Sequence, residues 1–305
     1  MREFWGKVLR FGLDCLGQPA TLGQMLKEND KLRYELAGEP RSVASSEVVR
    51  WQDWGPGELL GWKAAGGEYC SYHHTIQALA SINSTEIVEH WQCEIQDVVG
   101  LCASKAELRD FSSLDEMAES RVQYLVGEVT QANLQASLGW QEIRILHRDN
   151  TSDHLAIHQW DGRVFLMNSG GSHHFVAGRY LAARLGVEVP VLGTLRVHRL
   201  SKPAVSSLIN EYEVFALADD PEAFMMFMDA MRTFRAGFLW CDLPQPYEGG
   251  RAVFLPRDDA KSMQVATLLH QTGHADLGAH LLTLSGRALN VPGVERHRRH
   301  PEPTA

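Results

Sequence analysis

The familiar signatures of nucleotide and hydrolytic enzymes are missing from this chain of 305 residues: it has no Walker loop, no GxGxxG, no GxSxG and no HExxH. A P-loop, a dinucleotide fingerprint, a nucleophile elbow and a zincin helix are thereby excluded in their usual forms. The five cysteines are odd in number and form no Cys-x-x-Cys pair. That excludes a disulfide framework and a zinc knuckle, and points to free thiols in a reducing cytoplasm. No stretch approaches the roughly 18 uncharged apolar residues of a membrane span. Arg10 and Asp14 break the apolar run at the N-terminus, so it does not read as a secretory signal. Basic residues number 29 against 38 acidic ones, a net charge of −9. A whole-molecule basic field for nucleic acid is therefore absent, and any such contact needs a local patch. The densest basic run, Arg296-His297-Arg298-Arg299-His300, precedes Pro-Glu-Pro-Thr-Ala and reads as a frayed end.

What is present is ordinary globular material, 44% hydrophobic and 22% charged. The length is enough for about two domains, and the patterning predicts an α+β fold in three segments. Residues 1–115 form a Trp-rich α/β segment holding Trp5, Trp51, Trp54, Trp62 and Trp91. Phe4, Trp5, Val8, Leu9 and Leu16 follow helical spacing over residues 3–16. Ser46–Trp51 and Glu86–Val99 have the alternating, β-branched look of strands. Residues 116–200 form the core segment. Here Thr130 is placed to cap a helix ending at Gly139, and Gln141–His147 alternates like a strand. His154–Trp160 and Arg163–Asn168 read as a hairpin about Asp161-Gly162. Residues 201–305 read as mostly helical, with strands at Gly237–Leu243 and Arg251–Leu255.

The informative stretch is Ser169-Gly170-Gly171-Ser172-His173-His174, with a helix beginning at once and closing at Gly186. A strand that ends in two glycines lets backbone approach a ligand. The first helical turn after it has unpaired N–H groups and partial positive charge. Together these make an anion cradle suited to phosphate. Ser172 adds a hydroxyl, and His173 and His174 add imidazoles that change charge near neutral pH. Arg179 is a further candidate for the anion if helix geometry lets it reach back. An ordinary strand-to-helix turn capped by Ser172 accounts for the same letters.

The string VFLMNSGGSHHFVAGRYLAARLGVEVPV, from Val164 to Val191, resembles the phosphate-loop element of the ParB/sulfiredoxin superfamily. In that superfamily a hairpin strand runs into a Gly-containing motif, then a helix rich in Ala and Arg, then Leu-Gly and a strand. The segment Thr130–Leu138 followed by Gln141–Leu146 is similar to the helix and strand that precede it there. The likeness covers residues 120–200. Sulfiredoxins carry Gly-Gly-Cys-His-Arg, so their nucleophilic cysteine is Ser172 here, and a serine forms no thiosulfinate. ParB proteins carry Gly-Glu-Arg-Arg, whose last three residues become Ser172, His173 and His174. Common to each comparison are the glycine turn and the polar helix start. The resemblance implies a ParB/sulfiredoxin-like core that binds a nucleotide, such as ATP or CTP, or another phosphate ligand.

Residue types around the loop extend that expectation. With period 2, His154, Ala156, His158 and Trp160 share one strand face. If that face lies under Ser172–His174, four imidazoles converge, a set suited to a divalent metal or to acid–base work on a phosphodiester. The leading expectation is thus a cytoplasmic nucleotide- or phosphate-binding protein, with nuclease or NTPase chemistry as its enzymatic form. Gly170, Gly171, Ser172, His173 and Arg179 would bind phosphate, Ser172, His173 and His174 would carry catalysis, and His154 and His158 would hold a metal. The alternative is a non-catalytic DNA-associated or partner-binding module of a bacterial mobile element. Elsewhere, Gly66-Gly67 with Tyr72-His73-His74 after it echoes the main loop. His270, His274, Asp276 and His280 have ligand chemistry, but Thr272-Gly273 reads as a helix end and favours plain surface histidines.

Overall fold

A computed structural model of the chain describes residues 5–289, apart from 7, 8, 10, 11, 15, 29, 37 and 39–41. The helix expected over 3–16 lies partly, and the basic run 296–300 wholly, outside the described residues. In chain order the strands are β1 (Glu58–Ala65), β2 (Glu68–Thr75), β3 (Asn83–Glu94), β4 (Val98–Leu101), β5 (His154–His158), β6 (Val164–Met167), β7 (Pro190–Leu200), β8 (Tyr212–Ala218), β9 (Phe238–Asp242), β10 (Gly250–Pro256) and β11 (Ala275–Asp276). The fold is mixed α+β, as the patterning predicts. No described helix is long and apolar enough to cross a membrane.

The chain divides into two compact units. One comprises Met1–Gly38, Arg50–Asn83 and Leu200–Gly286, the other Glu39–Val49, Ser84–Arg199 and Arg287–Ala305. The expected cut near residue 115 does not coincide with a unit boundary, and the segment 1–115 contributes to both units.

The first unit is built on a six-stranded sheet in the order β11-β8-β10-β9-β1-β2, antiparallel at each pairing. β2 is an edge strand, largely exposed. β8 and β10 lie inside the sheet and are nearly all buried. The helices Ala20–Glu28, Pro221–Phe234 and Ala260–Gln271 contribute Leu22, Leu26, Phe224, Phe227, Val265 and Leu269 to a core with Phe215, Phe238 and Val253. Each such side chain contributes about 1.5–3 kcal/mol by leaving water. The C-terminal segment is therefore helical but also carries β8 to β11. β8 is hidden in the sequence because Glu211 ends a helix and Tyr212 begins the strand with no glycine or proline between.

The second unit holds a five-stranded mixed sheet, β3-β7-β5-β6-β4. β5 and β6 form the expected antiparallel hairpin, with Ile157 opposite Val164. β5 runs parallel to β7, and β4 parallel to β6. The two outer strands, β3 and β4, come from upstream of residue 115: β4 covers the free edge of β6, and β3 covers that of β7, which itself flanks β5. The helices Leu114–Arg121, Gln123–Val126 and Gln131–Leu138 pack on the long helix Ser172–Leu185. That helix turns Phe175, Val176, Ala177, Leu181 and Ala182 into the core.

Two local expectations are corrected. Gln141–His147 is not a strand. It is a turn, with Ile143 N–H donating to the Trp140 carbonyl at 2.9 Å, and then the helix Arg144–His147. Ile143 and Ile145 are both buried, so a turn and a short helix satisfy the alternation that suggested a strand. Ser46–Trp51 likewise holds 3-10 turns, at Ser45–Glu47 and Trp51–Asp53.

Candidate functional site

The turn after β6 is held from below before it offers anything above. Asn168, 5% exposed, uses its whole hydrogen-bonding capacity. Its Oδ1 accepts from the N–H groups of Cys102 (3.2 Å) and Ala103 (3.1 Å), and its Nδ2 donates to the carbonyls of Ala103 (2.8 Å) and Gly170 (3.1 Å). The buried Asp153 carboxylate accepts from both N–H and Oγ of Ser169, and Arg144 also donates to Ser169 Oγ. The chain then passes through Gly171 in the left-handed region, φ +71°. A Cβ there would stand 2.5 Å from the Glu142 carbonyl oxygen. The glycine is required because the Glu142–Ile143 backbone runs against it.

Gly171 is the residue before the helix Ser172–Leu185, and no side chain caps that helix. Ser172 is its first residue rather than its cap. The first turn has no acidic residue, so its positive end is not neutralised locally. Ser172 is 8% exposed, and its hydroxyl donates to Ser104 Oγ at 3.2 Å.

Above this turn lies a cavity of about 450 Å³ whose walls include Ser104, Lys105, Tyr124, Trp140, Glu142 and Ser169–His174. Tyr124 Oη–H can donate to His173 Nδ1, 3.0 Å away. Trp140, 48% exposed, stacks on the His174 ring at 4.4 Å and 12°. Burial, reinforced by the Lys105 ammonium, lowers the His173 pKa. Burial, then the neighbouring His173, lowers that of His174. Both shifts favour the neutral imidazole. His173 Nε2 and His174 Nδ1 are shielded from solvent and have no hydrogen-bond partner. Glu142 brings a carboxylate to the wall, but Arg144 (3.0 Å) and Arg148 (4.0 Å) balance its charge. The remaining charged side chain on the wall is Lys105.

The structure therefore gathers Gly170, Gly171, Ser172, His173 and His174 on one wall, and places the other sequence candidates elsewhere. Arg179 lies seven residues into the helix, about 10 Å along its axis. It donates to the carbonyls of Val98 (3.0 Å) and Gln96 (3.3 Å) and pairs with Asp115. It ties the helix to its neighbours and takes no part in the cavity. His154 and His158 do not line the cavity either, so the four imidazoles do not converge. Four residues along a strand separate them by about 14 Å, too far for one metal ion. His154 Nδ1 lies 2.9 Å from the Ser152 carbonyl oxygen. His158 is buried at the hairpin end of β5, its ring on those of His198 (4.9 Å) and Trp160 (5.3 Å).

Sequence reasoning missed Lys105, Tyr124 and Trp140. They come from the exit of β4, from a four-residue helix and from a turn, and none sits in a recognisable motif. The one usable signal is Gly139-Trp140, a large aromatic at a helix end where burial is not expected.

Comparison with curated proteins and with solved structures returned no match. A family model does match: residues 88–289, more than half of the chain, fit the one described as "Family of unknown function (DUF6685)". The matched stretch contains the turn, the helix it opens and every wall residue named above, and the chain belongs to this DUF6685 family.

Proposed function

We propose that the cavity above Ser169–His174 binds a phosphate ester, with a nucleotide such as ATP or CTP as the form that uses all of its features. The observation that carries this reading is the uncapped positive end of a 14-residue helix exposed in a cavity wall. Free N–H groups there suit phosphate oxygens, and the helix dipole favours their charge. Lys105 adds a full positive charge on the same wall. Trp140 offers an aromatic face beside the anion end, the arrangement on which a base stacks for about 1–3 kcal/mol. The likeness of residues 120–200 to the ParB/sulfiredoxin superfamily supports the same ligand class.

Burial favours the neutral imidazole at both His173 and His174; His174 keeps Nε2 as a candidate general base, whereas Tyr124 occupies Nδ1 of His173 and its Nε2 is shielded. Phosphoryl or phosphodiester hydrolysis is the chemistry to assay, as an NTPase or a nuclease. Cys70, Cys93, Cys102 and Cys241 are all free thiols, which fits a reducing, cytoplasmic setting. The net charge of −9 counts against broad affinity for nucleic acid, the route of the mobile-element alternative.

The test is calorimetry with ATP, CTP, GTP, UTP and inorganic pyrophosphate. The expected result is one ligand per chain, with affinity falling at least about tenfold in Lys105→Glu, a reversed charge at the wall. Loss of stacking in Trp140→Ala should weaken nucleotides but not pyrophosphate. Absence of binding by every ligand at millimolar concentration would remove the proposal.

A further inference from the structure

We propose a second site, in the other unit: Glu213, His270 and Asp276 form a three-ligand site for a divalent ion of the zinc class. It is independent of the phosphate reading. The residues lie far apart in sequence, on β8, near the end of the helix Ala260–Gln271, and at the cap of the helix Leu277–Ser285. The pairing of β11 with β8 draws them together, setting Asp276 opposite Phe215, two residues from Glu213. One ligand atom from each lies within 4.8 Å of the others. His270 Nε2 and Glu213 Oε2 are 3.4 Å apart. A tetrahedral zinc with bonds of about 2.0–2.2 Å separates its ligand atoms by roughly 3.3–3.6 Å, so this pair already has the spacing of one tetrahedral edge.

The surroundings hold each ligand from behind. Arg257 pairs with Glu213 Oε1 at 2.9 Å and donates its Nε to the Ile209 carbonyl at 2.7 Å. That fixes the carboxylate and leaves Oε2 toward His270. Asp276 Oδ1 accepts from the Ala279 N–H at 2.8 Å, which leaves Oδ2 for an ion. The His270 ring packs edge-on against Phe215 at 4.8 Å, which sets its orientation. Outer contacts of this kind orient metal ligands and tune them. The two carboxylates outnumber the one guanidinium, that of Arg257, paired with them, a balance that favours a cation. The imidazole selects a transition ion over Mg²⁺ or Ca²⁺, which take oxygen ligands. Three protein ligands leave a fourth position for water or substrate, the pattern of an open rather than a structural site.

This set differs from the one the sequence suggested around His270. His274 is buried with its Nδ1 2.9 Å from Thr272 Oγ1, and the His280 ring lies against Trp51 at 6.4 Å. Glu213, 57 residues before His270, carries no sequence signal that links the two.

The experiment is zinc titration of the metal-stripped full chain by calorimetry, repeated with cobalt(II) by absorption spectroscopy. The expected result is one zinc per chain, cobalt bands of a tetrahedral or five-coordinate site, and no response to magnesium. His270→Ala and Glu213→Gln should each weaken zinc by about 100-fold. His297→Ala/His300→Ala, in the basic run at the chain end, should leave it unchanged. His270 is 44% exposed in its side chain, so its replacement keeps the fold, which the melting temperature of the stripped variant checks. No zinc binding, or binding that survives both His270→Ala and Glu213→Gln, overturns the proposal.

Discussion

Two stretches of this chain share a glycine pair and a histidine pair at different spacing. Gly66-Gly67 precedes Tyr72-His73-His74, and Gly170-Gly171 precedes Ser172-His173-His174. In the first, both glycines have positive φ, +56° and +88°, and form the two-residue turn between β1 and β2, with Ala65 paired to Glu68. Nothing lies within 4 Å of where their Cβ atoms would be. His73 and His74 are exposed on an edge strand, His73 facing Glu58 at 3.6 Å. In the second, Gly171 is pressed against the Glu142 backbone and the histidines open a helix that lines a cavity. A glycine pair thus reports only a left-handed bend. The residues after it decide its use: an alternating run continues as a strand, and 3.6-residue periodicity makes a helix whose amides stay unpaired.

Substitution of the glycines breaks the comparison most sharply. Gly171→Ala combines left-handed strain with a clash on the Glu142 carbonyl and is expected to cost about 2–5 kcal/mol. Gly66→Ala meets only the strain and is expected to cost about 1 kcal/mol. Urea unfolding of the two variants measures the difference directly. Next comes Asn168→Ala. It strands the Ala103 N–H and the carbonyls of Ala103 and Gly170, while the Cys102 N–H keeps the Leu166 carbonyl at 3.0 Å, and it is expected to destabilise by about 2–3 kcal/mol by the same measurement.

A smaller effect concerns acid. Burial lowers the pKa of His154, His173, His174 and His274 below the ordinary 6.5. Between the folded and unfolded values the unfolded chain binds more protons, so stability rises with pH in that window. The contribution is fully present above about pH 6.5 and is lost as pH falls through the folded values. Melting temperatures between pH 8 and pH 5 should therefore drop on the acid side. In His173→Ala/His174→Ala the drop should be shallower. The smallest effect is expected from His73→Ala/His74→Ala, within about 0.5 kcal/mol of the parent, as for exposed positions elsewhere.

How far the molecule was legible in its sequence depends on the origin of each feature. The hairpin of β5 and β6, the Thr130 cap and the helix ending at Gly186 rest on neighbours in the chain, and the residues show them. The Thr130 hydroxyl accepts from the Asn133 N–H at 3.2 Å, and Gly186 is left-handed as a helix-ending glycine should be. The strand expected at Gln141–His147 failed because two buried isoleucines two apart satisfy a turn as well as a strand. The candidate site was half legible. Its floor, Gly170–His174, is contiguous, whereas Lys105, Tyr124 and Trp140 reach it only through tertiary packing. Arg179 was misassigned because a helix carries it about 10 Å away from the turn.

The most direct test of the account watches the amides themselves. In a ¹H–¹⁵N correlation spectrum of the full chain, pyrophosphate or ATP should shift the backbone N–H signals of Ser172, His173 and His174 in a saturable way. The signals of Cys70 to His74, the matching stretch, should stay where they are. Signals of Ser172–His174 that do not move while others do, or a spectrum that does not change at all, would contradict it.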